Sequence, residues 1–491
     1  MIDTELLKEK VLDLAMQGKL VEQDPTDGHA RDLLREIQAE REQLVKDKKI
    51  KKSKPLPPIS EEEIPYEIPE SWEWVRLEEL RDLIPNSIAD GPFGSNLKSS
   101  HYTVKNEVRI IQLSNVSKEG WRDENKKYTT FEHLETIKRS KVEAGNIVIT
   151  KMMPAGVAMV VPDIEEEYVL SSDVIKFVPY ERIKSSFLAY FINGPFFQDQ
   201  VKSELQGSTR KRTSIKKIKK YIVPLPSLGE QERIINQINH LFKLIDRLAD
   251  QQDKFINYQK LVQDKALELA MQGKLVPQLP EEGTAASLLE EVEAERQRLI
   301  DEKKIKKTKP LPEISEEEIP YEIPDSWEWV RLGVVSTIGN FESVTAANLN
   351  SEKHVIELED IEKETGRLLK LRQVSDRNSK SNKYIVKDND ILYGKLRPYL
   401  RKILLSPISG YCSTEIYPFR PIGDTSSDFL LAVMKADYFQ NIINRSTQGI
   451  NLPRANHKVM SNIAVPLPPV KEQERIVNKL DEIDQALFSG N

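Results

Sequence analysis

Between residues 230 and 271 the apolar positions fall in alternating steps of four and three: Ile234, Ile238, Leu241, Ile245, Leu248, then Phe255, Val262, Ala266 and Leu269. The two remaining places in that register hold Gln252 and Gln259. A sustained 3.5-residue repeat with polar interruptions predicts a coiled-coil seam rather than the stripe of a globular helix. No glycine or proline breaks the stretch. One helix of roughly 63 Å is therefore expected, longer than a small domain is wide. A rod of that length needs a partner and something to separate.

Internal repetition supplies the partner. LAMQGKLV at Leu14–Val21 returns at Leu269–Val276, and KKIKKSKPLPPISEEEIPYEIPESWEWVRL (48–77) returns as KKIKKTKPLPEISEEEIPYEIPDSWEWVRL (303–332), both at an offset of 255. From Leu14 to Leu77, 46 of 64 aligned positions are identical, far too many for chance, so the two segments are copies of one unit. VPLPSLGEQERIINQI (223–238) and VPLPPVKEQERIVNKL (465–480) repeat at an offset of 242. Superimposing the copies sets the two chain ends against the two halves of the long helix. The ends then supply a second copy of its seam through Ile476, Leu480, Ile483, Leu487, Leu7, Val11 and Leu14, with Thr4 matching Gln259. A linear chain is expected to close on itself as a two-fold circle.

Between the repeats lie two blocks of mixed α/β pattern. The first has β-rich runs near 108–113, 146–150, 157–161 and 174–178 and then a helix over 185–200. The second repeats the order at 354–358, 390–393, 403–405 and 416–419, with a helix near 427–441. GNIVITKMMP overlays NDILYGKLRP, setting Lys151 opposite Lys395, and SSDVIKF overlays STEIYPF. The blocks read as diverged copies of one domain on near-identical scaffolds. The expected fold class is α+β: two mixed α/β domains separated by a long antiparallel coiled coil in a pseudo-two-fold circular organisation. The expected segments are 1–80 (helix and proline-rich strap), 81–222 (first block), 223–335 (long helix and second strap), 336–464 (second block) and 465–491 (closing helix). Short charged helices are expected at 30–47 and 286–302. The straps, too rich in proline for a helix, are expected as extended docking arms.

Composition narrows the function. The net charge of −6 is unevenly shared. Residues 81–222 carry 23 Lys+Arg against 17 Asp+Glu, and residues 336–464 carry 18 against 14. The remainder sums to −16, so two mildly basic blocks sit in an acidic scaffold, and local charge is what steers phosphate. One cysteine excludes an internal disulfide framework, no apolar run is long enough for a membrane span, and no apolar signal core follows Met1. A cytoplasmic protein is expected.

Catalytic signatures are missing from the sequence: no GxxxxGK[ST], GxSxG, HExxH or paired CxxC motif, and six histidines without ligand spacing. Asp388 and Asp390 near Lys395 hint at a nuclease site that the first block does not repeat. Binding residues are better represented. The turn DGPFGSNLKSS offers Ser95, Asn96 and Lys98. Lys151 follows a strand, and the basic loop 206–220 offers Arg210, Lys211, Arg212 and Thr213. In the second block the candidates are Lys395, Arg397 and Arg401, with Asn451 and Arg454 in the loop 445–458. Lys and Arg attract phosphate, and Arg, Lys and Asn also read purine edges.

LAMQGKLV, the IPESWEWVRL and IPDSWEWVRL openings, VPLPPVKEQERI, DGPFGSNLK and DILYGKLRPYLRK resemble the specificity subunits of type I restriction–modification systems, over essentially the whole chain. The resemblance implies that each block is a target recognition domain reading one half of a bipartite site in double-stranded DNA. It also implies that the coiled coil is a ruler setting the spacer. The scaffold would dock two copies of a modification methyltransferase subunit, joined by restriction/translocase subunits. It implies no cofactor and no catalysis in this chain, with S-adenosylmethionine, ATP and Mg held by those partners. The alternative from the residues alone is a coiled-coil protein-binding adaptor.

Overall fold

The computed structural model describes residues 1–50, 55–165, 167–205, 211–377, 381–447 and 452–488. They form two compact units, Met1–Gln252 and Asp253–Asn491, whose boundary falls inside the long helix. That helix runs from Leu228 to Met271, 44 residues without a break.

In the first unit it lies against the N-terminal helix Thr4–Met16. Lys8 Nζ meets Asp246 Oδ1 at 2.8 Å, while Gln252 accepts from Ile2 N–H (2.8 Å) and donates to Ile2 C=O (3.0 Å). In the second unit the partner is the C-terminal helix Val470–Phe488. There Gln259 donates to Leu487 C=O, and Gln263 donates to Asp484 at 2.8 Å. Numbers fall on one helix as they rise on the other, so both pairings are antiparallel. The two polar interruptions of the seam are the residues that bond to the backbone of the chain ends.

The register holds in the first half, where Ile234, Ile238, Ile245 and Val11 are buried. Further on it holds only in part, with Phe255 and Val262 54% and 46% exposed. Gln259 and Ala266, which belong to the same register, stay buried there and are joined by Ala270.

The repeated LAMQGKLV segment is a helix stop. Gly18 takes φ +67°, and Lys19 N–H returns to Leu14 C=O at 2.9 Å. A side chain at Gly18 would place its Cβ 2.4 Å from Pro69. Gly273 repeats this with φ +66° and Pro324. Only glycine meets both demands, the left-handed backbone and the close approach. The motif and the IPxSWEWV motif are repeated together because they touch.

A second contact joins the same pieces. Trp72 donates to Glu230 at 2.6 Å at the start of the long helix, and Gln23 bonds to the other carboxylate oxygen. Trp327, Glu472 and Gln278 form the same trio in the second unit, with a tryptophan bond of 3.0 Å. Burial pushes the Glu230 and Glu472 carboxyls above their ordinary range, against the pull of these hydrogen bonds.

The charged helices form at Ala30–Lys46 and Ala285–Asp301. Each strap, described from Pro55 in the first copy, is interrupted by one 3₁₀ turn, Glu61–Glu63 or Glu316–Glu318, and is held from beneath by one arginine. Arg76, at 6% side-chain exposure, bonds to both oxygens of Glu63 (2.7 and 2.9 Å) and to the carbonyls of Pro57, Pro58 and Lys220. Arg331 does the same with Glu318, Pro312, Glu313 and Asn462. The straps therefore dock on their own unit.

Each block is closed at its base by an antiparallel pair of scaffold strands, Glu73–Arg76 with Ile222–Leu225 and Glu328–Arg331 with Ala464–Leu467. Inside the first block, a four-stranded antiparallel sheet has the order Ala158–Val160, Ile147–Thr150, Val174–Phe177, Ile88–Asp90. Beside it is a five-stranded sheet in which Val108–Ile111 runs parallel to Tyr168–Leu170. The second block keeps the plan, with three strands centred on Ile391–Gly394 and a five-stranded sheet in which His354–Ile356 runs parallel to Gly410–Ser413.

The single helix expected after these strands is two helices in both blocks. Ser185–Asn193 and Pro195–Ser203 are divided by Gly194, because Pro195 has no N–H to continue the ladder and disfavours helical backbone before it. Ser427–Lys435 and Asp437–Ser446 are divided at Ala436, whose extended backbone no local sequence signal announces.

Candidate nucleic-acid interface

In the first block the turn singled out in the sequence starts at Asp90, the last residue of its strand. Gly91 is required there because a Cβ would lie 1.7 Å from the Ser171 carbonyl. The chain then turns outward, leaving Phe93 69% exposed and Ser95, Asn96 and Lys98 on the surface. Two histidines brace this turn. His133 Nε2 donates to Asn96 C=O at 2.8 Å, His101 Nδ1 accepts from Lys98 N–H at 3.2 Å, and the two rings lie 4.2 Å apart.

Lys151 directly follows strand Ile147–Thr150. Its ammonium lies 2.9 Å from Asp90 Oδ1 and 5.2 Å from the centre of the Phe93 ring. Its N–H donates to Asp173 C=O (2.8 Å), and its carbonyl accepts from Thr213 N–H (2.9 Å). A bridge between Met152 and Arg212 lays the basic loop along the same strand end. The fold thus gathers the turn, Lys151 and residues 211–213 at one place. Lys211 and Arg212 are exposed there, whereas Thr213 is buried. Thr213 is an anchor, fixed by its main-chain bond to Lys151, and its expected surface role is withdrawn. Arg210 lies outside the described residues.

The second block builds the same node. Lys395 follows strand Ile391–Gly394, donates its N–H to Glu415 C=O (3.0 Å) and accepts at its carbonyl from Ala455 N–H (2.8 Å). Leu396 bridges to Arg454, and Arg397 N–H bonds to Pro453 C=O at 2.7 Å. Arg397 stands exposed with left-handed backbone, φ +52°. The carboxylate here is Glu415, 3.8 Å from Lys395 Nζ and 3.1 Å from Arg454 Nε. Lys395 also lies 5.5 Å from the ring centre of Tyr417.

Arg401 does not join this cluster. It pairs with Asp437 at the start of helix Asp437–Ser446 and, with Asp437, acts on Asp264 of the long helix. Asn451 lies outside the described residues.

The hint of a nuclease site finds no geometry. Asp390 is buried, accepts from Lys387 N–H (2.8 Å) and Arg420 (2.9 Å), and is pushed above the usual carboxylate range by burial. Lys395 turns to Glu415 instead. Among the described residues no three His, Cys, Asp or Glu side chains gather to hold a metal ion, and no helix is long and apolar enough to cross a membrane.

Sequence reasoning missed the acids of the node. Asp90 and Lys151 are 61 positions apart, and only the strand order brings them together. A faint signal existed, since both Asp90 and Glu415 lie inside segments already singled out.

The family model for the type I restriction modification DNA specificity domain matches residues 69–256 and 324–490, covering each block with its scaffold strands and part of its helix. The type I restriction enzyme EcoAI specificity subunit of Escherichia coli is 30% identical over 98% of this chain and 88% of its own length. The EcoEI specificity subunit of the same organism is 27% identical over 97% and 88%. A solved chain described under complex assembly and conformational transition of the type I R-M system shares the fold, with a TM-score of 0.57 at 18% identity over 87% of this chain and 93% of that one. With one repeated scaffold, two diverged blocks and a family match over most of its length, the chain belongs to the type I restriction–modification specificity subunits.

Proposed function

We propose that this chain is the sequence-reading subunit of a type I restriction–modification complex, each block contacting one half of a bipartite site in double-stranded DNA. The observation that carries this reading is the pairing of sameness with difference. The scaffold contacts recur residue for residue in both units, while the same lysine node is dressed with different side chains in each block. Two unlike half-sites require that combination. An adaptor for a symmetric protein partner would keep its two blocks alike. Ser95, Asn96, Lys98, Lys151, Lys211 and Arg212 are the contacts of the first block; Lys395, Arg397 and Arg454 are those of the second. Arg401 instead pairs with Asp437.

The chain supplies recognition and assembly. Two modification subunits bind its scaffold and bring S-adenosylmethionine, and restriction subunits bring ATP and Mg. Exchanging residues 77–221 for the matching block of another family member should change one half of the methylated site and leave the other intact, read by methylation-sensitive sequencing. A change in both halves, or in neither, defeats the proposal. Inserting one heptad into the long helix and into its chain-end counterpart should lengthen the spacer by roughly 3 base pairs, from 10.5 Å of added rise at 3.4 Å per pair. An unchanged spacer would reject the ruler.

A further inference from the structure

At the centre of each candidate interface, where phosphate attraction alone would favour cations, the fold places a carboxylate against the lysine. Asp90 is 2.9 Å from Lys151, and Glu415 is 3.8 Å from Lys395 and 3.1 Å from Arg454. The two acids do not occupy equivalent positions. Asp90 ends strand Ile88–Asp90, whereas Glu415 occupies the place that Asp173 fills in the first block, bonding through its carbonyl to the lysine N–H. Both blocks thus set a carboxylate against the lysine, from a strand end in the first and from the turn before strand Ile416–Phe419 in the second, where Arg454 shares it.

A lysine paired with a carboxylate is close to neutral and adds little to counterion release. A carboxylate at this place also repels a phosphate. What the pair offers is a hydrogen-bond donor beside an acceptor, with an open edge: Asp90 and Glu415 keep 24% and 32% side-chain exposure. In the major groove a G·C pair shows the complementary pattern, the guanine O6 and N7 acceptors beside the cytosine N4 amino donor. We propose that Lys151 with Asp90, and Lys395 with Glu415, are the specificity-determining pairs of the two blocks, each reading one G·C base pair of its half-site. The lysine donates to guanine and the carboxylate accepts from the cytosine amino group. Arg212 and Arg397, which stand exposed beside the pairs, supply sequence-independent attraction instead.

This inference rests on the DNA-reading function proposed above, and its test separates the two. The full chain, assembled with its modification subunit, is used to select from a random duplex library, and its affinity for non-specific duplex is measured against salt. Asp90→Asn should relax the preference for one G·C pair in one half-site by roughly tenfold or more, leaving the other half-site and non-specific affinity undiminished. Glu415→Gln should do the same in the opposite half only. Arg212→Ala should weaken binding to all sequences and make the salt slope shallower by about one, without altering the selected sequence. The double variant Asp90→Asn with Lys151→Gln keeps a hydrogen-bonded neutral pair if the single variant folds poorly, and must relax the same position. An unchanged selected sequence in these variants, even with a lowered melting temperature, makes the pairs structural and overturns the inference. So does loss at both half-sites from one substitution. If the unmodified chain selects no bipartite sequence, the proposed function itself fails.

Discussion

Trp72→Ala is expected to unfold most of the first unit's margin of stability. The indole is buried, stacks near Phe191 and lies over the Gly18 helix stop, so its loss empties a large cavity, worth about 3–5 kcal/mol. It also removes the donor that holds Glu230, a buried carboxylate at the first turn of the long helix, adding about 1–3 kcal/mol. Trp72→Phe separates the terms, since it keeps most of the volume and loses only the donor. Urea unfolding of the three proteins measures both. The difference between Trp72→Phe and the parent should shrink as pH is lowered. Burial already raises the folded carboxyl of Glu230, removal of the donor raises it further, and protonation then relieves the unpaired charge. Equal stability of parent and Trp72→Phe at neutral pH would show that the indole hydrogen bond contributes nothing. Trp327→Ala should act in the same way on the second unit through Glu472.

The second large effect concerns the straps. Arg76→Met removes five hydrogen bonds, four of them to the strap (two to Glu63 and two to the carbonyls of Pro57 and Pro58) and one to the Lys220 carbonyl. Breaking a fully buried charged pair costs about 3–5 kcal/mol, but Glu63 stays 40% exposed, so about 2–4 kcal/mol is the expected loss. Limited proteolysis should then cut the first strap while sparing the second, and Arg331→Met should reverse the pattern. Arg76 and Arg331 hold the Glu63 and Glu318 carboxyls down to about 2. A depressed folded value contributes stability that is present above the ordinary carboxylate range and lost as pH falls towards 2. The straps should therefore release in acid, and the arginine variants should lack that acid transition. Uncut straps in Arg76→Met at neutral pH would exclude the latch.

How far the sequence carried the architecture varied from element to element. Repetition at fixed offsets was enough to pair the long helix with the chain ends, because copies of one unit must fold alike. The overlay that set Lys151 against Lys395 held for the same reason, with both lysines following matching central strands. The helix break before Pro195 is legible in the residues, while the break at Ala436 has no local mark. Phe255 and Val262 fit the seam by spacing but lie exposed, while Gln259 and Ala266 of the same register are buried, because a repeat counted along one helix does not show which of its positions a partner covers.

The candidate interface was legible as a list of basic and polar residues and illegible as a site. Thr213 carries the right chemistry but is buried by its bond to Lys151, and Arg401 is drawn off by Asp437. Asp90 and Glu415, the acids on which the proposed base reading depends, were unremarkable in a search for cations. By itself the sequence determined the repeat, the coiled coil and the existence of two diverged blocks, all of which depend on periodicity and identity along the chain. Only the tertiary structure decided which charges meet. Strand order, including the parallel pairing of distant strands inside each block, sets distances between residues dozens of positions apart, and charge pairing depends on those distances and on the burial around them.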